Sequence, residues 1–118
     1  MLSFHTQLKV FVATAPTDLR MSFNGLWAAA SERLGEDPRQ GALFAFCNKR
    51  RNRIKILYFD GTGVVVLAKR LEEGTFRWPQ SAGEAGAKLR LAPQALQLLL
   101  DGVELKAAGR RAWYEVPG

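Results

Sequence analysis

The apolar residues of the chain fall into short blocks, and the spacing within each block predicts its secondary structure. Blocks at 10–13, 43–47, 53–60 and 64–71 have the length and composition of β-strands. Asp60 and Gly61 stand between the last two blocks. An Asp-Gly pair between apolar runs is typical of a tight hairpin, so we expect 53–60 and 64–71 to pair antiparallel. Shorter blocks at 75–78 and 88–91 predict two further strands.

Two other segments have the spacing of a helix. Between residues 22 and 34 the apolar positions recur every three or four residues, and Gly35 follows as a stop. A second, leucine-rich segment begins at Pro93, which suits a first helical turn, and ends at Gly102. Strands flanked by helices predict an α+β fold: an antiparallel sheet of about four to six strands, with an N-terminal helix and a short C-terminal helix packed against it.

The length of 118 residues fits one domain, 1–118. Within it we expect 80–87 to form a loop, because this stretch is small and polar. Residues 1–9 and 106–118 are expected to be flexible ends. No apolar run is long enough to span a membrane and the start lacks a signal-peptide pattern, so the prediction is a cytoplasmic protein that makes no membrane contact.

The charge of the chain points to its partners. There are 17 Lys and Arg against 11 Asp and Glu, which gives a formal net charge of +6. An excess of this kind favours acidic partners, of which nucleic acid is one. Much of it lies in the run 49–55, which contains Lys49, Arg50, Arg51, Arg53 and Lys55 between two strand-like blocks. A run held between strands keeps its charges in a fixed geometry, and a protein that binds a phosphate backbone needs such a geometry.

The predicted hairpin register gathers part of this charge on one face. It places Arg53 opposite Arg70 and Lys55 opposite Ala68, and like charges so close call for an anion or a carboxylate. We therefore predict nucleic-acid contacts by the run, by the end of the next strand and by one later arginine: Lys49, Arg50, Arg51, Arg53, Lys55, Lys69, Arg70 and Arg77. The alternative is a solvated basic turn with local ion pairs, in which Glu72 opposite Arg51 would take part.

Aromatic residues flank Arg77 and form a second candidate. Phe76 and Trp78 beside an arginine could stack on bases or form the contact with a protein partner. The alternative is that these two side chains cover the sheet. A partner could also use the apolar residues expected near the hairpin tip, which are Leu57, Phe59, Val64 and Val66.

Candidates for catalysis are weak. His5 is the only histidine and Cys47 the only cysteine, so no nucleophile has an evident base, and a metal site lacks ligands. Gly61-Thr62-Gly63 lacks the lysine and the helix of a phosphate-binding loop. We expect no catalytic residue, no metal and no cofactor, and hence no enzyme.

Four blocks of sequence carry a resemblance to a known family. PTDLRMSFNGL at 16–26, GALFAF at 41–46, RIKILYFDGTG at 53–63 and KRLEEGTFRWP at 69–79 agree with it in order and spacing. They resemble the small accessory proteins of bacterial insertion sequences of the IS66 group, the products of the second open reading frame, called TnpB in those elements. The resemblance extends over about 10–102 and implies an accessory factor of DNA transposition, with catalysis left to a separate transposase.

The accessory role leaves several partners open. The chain could bind DNA at the element's ends or non-specifically, in which case it would be nucleoid-associated. It could instead be a protein adaptor that docks on the transposase without binding DNA itself. A free sheet edge could also pair two copies into a homodimer.

Overall fold

The computed structural model describes residues 8–79 and 88–102, which form a single five-stranded sheet with helices on both faces. The strand order is β4-β3-β2-β1-β5. The strands are β1 (Val10–Ala13), β2 (Leu43–Cys47), β3 (Arg53–Phe59), β4 (Val64–Arg70) and β5 (Lys88–Leu91). The α+β fold predicted from the sequence is confirmed.

Two helices flank the sheet. The α-helix α1 (Phe23–Ala28) continues as a π-helical segment, Ala29–Arg33, and a short 3₁₀ turn, Pro38–Gln40, precedes β2. The second helix, α2 (Pro93–Leu100), follows β5.

One pair of strands departs from the predicted antiparallel pattern, because β1 and β2 run parallel. The other three pairs are antiparallel. Parallel neighbours need a long crossover, and the connection that contains α1 supplies it.

The sheet is packed against other elements on both faces, which gives two cores. On one face α2 packs over a core that contains Val12, Ile54, Ile56 and Leu99. On the other face α1 covers Phe11, Phe44, Phe46 and Leu57, among others. The central strand β2 is buried throughout, which explains why its sequence is a continuous apolar run rather than an alternating one.

The β3–β4 hairpin has the predicted register. Phe59 pairs with Val64, Lys55 with Ala68 and Arg53 with Arg70. The Asp60 carboxylate closes the turn by accepting hydrogen bonds from the backbone N–H groups of Thr62 (2.9 Å) and Gly63 (2.8 Å). These hydrogen bonds lower the pKa of Asp60. Gly61 adopts φ of 98°, which a residue with a side chain would adopt only with strain.

The predicted strand at 75–78 does not form. Residues 75–79 follow β4 as an extended segment outside the sheet, in which the backbone N–H of Phe76 donates to the Arg51 carbonyl at 2.6 Å. The predictions for His5, for the 80–87 loop and for 106–118 fall on residues outside the described ranges.

Candidate nucleic-acid interface

The basic run forms a rigid turn between β2 and β3, and Asn48 organises it. The Asn48 side-chain oxygen accepts hydrogen bonds from the backbone N–H groups of Asn52 and Arg53, each at 3.0 Å. Its amide nitrogen donates to the Asn52 side chain at 2.7 Å. The turn also requires a left-handed residue, and Arg51 adopts φ of 59°. The charges of the turn are therefore held on a hydrogen-bonded frame, and sequence reasoning missed the residue that builds it.

Two other segments meet the turn at this end of the sheet. The loop after β1 is joined to the end of β2, because the Thr17 N–H donates to the Cys47 carbonyl at 2.8 Å. The chain after β4 is joined to the turn itself, because the Leu71 N–H donates to the Asn52 carbonyl at 2.9 Å. We call this end of the sheet the basic end, and its exposed cations from the predicted set are Lys49, Arg50, Arg51, Arg53, Lys69, Arg70 and Arg77.

Arg53 and Arg70 are direct cross-strand partners at the basic end, and both are exposed. Because residues that pair across two strands share a face, their guanidinium groups project from the same side of the hairpin. Neither forms an ion pair with a carboxylate within the described part of the chain. The expected ion pair of Arg51 with Glu72 is likewise not formed there.

Lys55 and Lys69 have structural partners, which changes their predicted role. The Lys55 ammonium donates to the Met21 carbonyl, just before α1, at 2.9 Å. The Lys69 ammonium donates to the Leu100 carbonyl, at the end of α2, at 2.6 Å. These lysines tie helices to the sheet, and Lys69 meets the α2 C-terminus, where a positive charge is favourable.

A third lysine, outside the predicted set, ties the other end of the first helix to the sheet. The Lys88 ammonium donates to the Leu34 carbonyl at 2.6 Å and forms an ion pair with Glu36. Lys55 on β3 and Lys88 on β5 thus hold the start and the end of the α1 region on one face of the sheet.

Two open grooves meet at Arg53. The first groove has a volume of about 340 Å³. It is lined by residues of β3 and β4 and by one residue of the loop after β1: Arg53, Ile54, Lys55, Ala68, Lys69, Arg70 and Leu19. The second, about 510 Å³, lies between residues 16–20 and the basic turn, and Lys49 and Arg50 are on its wall. Since both grooves share Leu19 and Arg53, they form one cationic track around the basic end.

The loop that borders the track carries two features that the sequence did not indicate. Asp18 and Arg20 form an exposed ion pair of 2.7 Å, and the hydrogen bonds from Arg20 lower the pKa of Asp18 to about 2. Thr17 is only 3% exposed, and its hydroxyl is the buried side-chain polar atom without a hydrogen-bond partner in the described residues. The burial of Thr17 could not be read from the order of residues, because it depends on how this loop lies against β2. The ion pair is a local contact between residues two apart in the sequence.

The aromatic pair proposed for partner contact belongs to the core. Phe76 is 1% exposed and Trp78 is 7% exposed, and both pack beneath α2. The Trp78 indole N–H donates to the Ala13 carbonyl at 2.8 Å. Because both side chains are buried, neither offers surface to a partner, and their position agrees with the alternative given from the sequence, that they cover the sheet. Arg77 between them remains exposed.

The hairpin tip is covered as well. Leu57 is fully buried, while Val64 and Val66 pack against the α1-side core. Phe59 makes an edge contact with Trp27, and the Arg39 guanidinium lies over both rings. The apolar tip expected to be free for docking is thus covered by α1 and Arg39.

Cys47 is buried beneath the basic end, and its thiol is not activated. Burial raises the pKa of its thiol to about 11, so the thiolate is scarce at neutral pH. In the described ranges no three His, Cys, Asp or Glu residues converge as metal ligands would. None of the described helices combines the length and apolarity needed to cross a membrane.

Comparison with known proteins identifies the family of the chain. The family model described as IS66 Orf2 like protein matches residues 8–110. The chain belongs to this family. Two relatives from Sinorhizobium fredii, designated uncharacterized proteins y4jC and y4hO, are 36% and 34% identical over 104 residues. These alignments cover 88% of this chain, and 86% and 88% of the respective relatives. No solved structure matches the chain.

Membership of the IS66 Orf2-like family supports the role that the resemblance implied. It indicates an accessory function associated with transposition. Family membership does not specify which molecule the basic end contacts.

Proposed function

We propose that this protein is a non-catalytic accessory factor of insertion-sequence transposition that binds DNA through its basic end. The observation that carries the proposal is the set of exposed cations on the Asn48-organised turn and beside it, of which Arg53 and Arg70 lack a carboxylate partner in the described residues. Exposed cations whose backbone is held by hydrogen bonds suit the phosphate oxygens of a DNA backbone.

The contacts expected on this proposal go to the DNA backbone rather than to the bases. The large apolar side chains exposed in the described part of the chain are Phe23 and Leu67. Neither lines the two grooves at the basic end, so the described residues of these grooves offer no exposed aromatic ring for base stacking. Both helices pack against the sheet along an apolar face. Neither α1 nor α2 contains a lysine or arginine, so neither has the cations with which a helix binds in a major groove, and we expect little sequence preference.

The test is binding of the purified protein to a labelled duplex that carries the element's terminal repeat, compared with a scrambled duplex of equal length. We expect equal affinity for both and loss of binding as salt rises. A clear preference for the terminal repeat at moderate salt would show base recognition and would contradict the backbone-only account. Absence of binding to either duplex at low salt would contradict DNA binding by the isolated chain.

A second candidate is docking on the transposase or on another copy of this chain, and it is favoured by the edge strand β4. No strand pairs with the outer side of β4 in the described residues, and Leu67 on this strand is 41% exposed. Unpaired strand edges can accept a further strand. Size-exclusion chromatography with light scattering, alone and with the transposase, tests this candidate, and Leu67→Lys should abolish an association that uses the edge.

A further inference from the structure

The two arginines at the basic end are paired across the β3–β4 hairpin, an arrangement that DNA binding in general does not require. Arg53 and Arg70 lie directly opposite each other on neighbouring strands. Like charges in this position destabilise a sheet. The groove between them is also lined by Lys55, whose ammonium is held by the Met21 carbonyl, and by Leu19, which is 8% exposed.

These residues line an open groove rather than a flat basic surface. The groove volume of about 340 Å³ corresponds to roughly ten water molecules. Two guanidinium groups on one side of a hairpin can each present a planar fork of donors to the same tetrahedral anion. No carboxylate of the described residues lines this groove. Asp18, next to Leu19, lines the adjoining groove and is paired with Arg20.

We propose that Arg53 and Arg70 form a discrete subsite for a single phosphate group, with Lys55 adding positive charge and Leu19 forming an apolar wall. This inference refines the site of the proposed function, because a backbone phosphate of DNA is one source of the ligand. A phosphate held between the two guanidinium groups removes their repulsion, so binding of the anion stabilises the fold.

The first measurement is thermal unfolding at constant pH and ionic strength, with sodium phosphate replacing sodium chloride. At a phosphate concentration about tenfold above the dissociation constant, we expect the wild-type Tm to rise by about 5 °C. Arg53→Gln and Arg70→Gln should each abolish this rise. Arg70→Gln should also leave the Tm in chloride equal to or above that of the wild type, because it removes the like-charge pair.

Arg77→Gln is the matched control. It removes one exposed positive charge from the same end of the sheet but does not touch the groove. Phosphate is excluded from protein surfaces and stabilises many folds without a site, and the control variant retains that general effect. An equal rise in Arg70→Gln and Arg77→Gln would overturn the subsite, as would no rise in the wild type.

A competition experiment separates the subsite from the proposed function and identifies the source of the phosphate. Inorganic phosphate, added at constant ionic strength, should displace the labelled duplex from the wild type if the subsite takes a backbone phosphate. Stabilisation by phosphate without displacement would assign the subsite to a free phosphate-bearing molecule. Duplex binding that is equally weak in Arg70→Gln and Arg77→Gln, with no phosphate effect on the Tm, would support DNA binding and refute the subsite.

Discussion

Lys69 and Arg70 are neighbours on β4, and their side chains project to opposite faces. Removing each charge separately tests the division between cations that hold a helix end and cations that have no carboxylate partner in the described residues. The Lys69 ammonium donates to the Leu100 carbonyl at 2.6 Å, whereas Arg70 faces Arg53 across the hairpin. We expect Lys69→Met to lower the free energy of unfolding by about 1 kcal/mol, since a charged hydrogen bond at a helix C-terminus is lost from a partly exposed site. Arg70→Gln should leave it unchanged or raise it by about 0.3 kcal/mol.

Urea unfolding followed by circular dichroism gives the stability of both variants. With a denaturant slope of about 1.5 kcal/mol/M, the loss in Lys69→Met lowers the midpoint by about 0.7 M urea. Affinity for a duplex at low salt should fall several-fold more in Arg70→Gln than in Lys69→Met. Equal effects of the two substitutions on both measurements, or a reversed order, would refute the division.

Three further perturbations test the packing and the loop. Thr17→Val should raise the free energy of unfolding by about 1 kcal/mol in urea unfolding, because it removes a buried hydroxyl without a partner; a loss of stability would mean that the hydroxyl is satisfied in solution. Trp78→Phe should cost about 2–3 kcal/mol in the same assay, because the hydrogen bond to Ala13 is lost and the core is left underfilled; a change within error would show that the indole is not core. Asp18 should titrate at about 2 by NMR, and Arg20→Gln should raise this midpoint toward the ordinary value of 3.8. Because the pKa of Asp18 is lowered in the folded state, its contribution to stability is present above the ordinary pKa and is lost as pH falls toward 2; an unshifted midpoint in the wild type would contradict the ion pair.

The hairpin was predictable to the residue because local chemistry determines it. Asp60 and Gly61 specify a tight turn, and the alternation of side chains then places Arg53 opposite Arg70. The strands β1 and β2 were also recognisable, because each is a short apolar block between turn signals, and β5 alternates charged and apolar residues as a strand does. These predictions needed no knowledge of distant residues.

The burial of the aromatic pair was not predictable in the same way. Phe76 and Trp78 alternate with an exposed arginine, which fits a strand as well as an extended segment. Their position depends on α2 and on the Ala13 carbonyl, which is 65 residues away along the chain. The parallel pairing of β1 with β2 depends equally on the path of the chain through α1.

The candidate site was also only partly predictable from the sequence. The positive charge of 49–55 is plain in the sequence, but which cations are exposed is decided by tertiary contacts. Lys55 looked equivalent to Arg53 until its partner, the Met21 carbonyl, was known. Asn48 gave no signal beyond its turn propensity, yet it fixes the geometry of the whole turn.

The measurement that tests the central claim most directly is the salt dependence of duplex binding by the wild type and by Arg53→Gln, with Arg33→Gln as the control. Arg33 is exposed and adjoins Leu34, whose carbonyl is held by Lys88 on the far edge strand. If about four phosphates are neutralised, log affinity should fall with log salt at a slope of about −3.6 in the wild type. Arg53→Gln should reduce the slope by about 1, and Arg33→Gln should not change it. The same slope in all three proteins would contradict a DNA interface at the basic end.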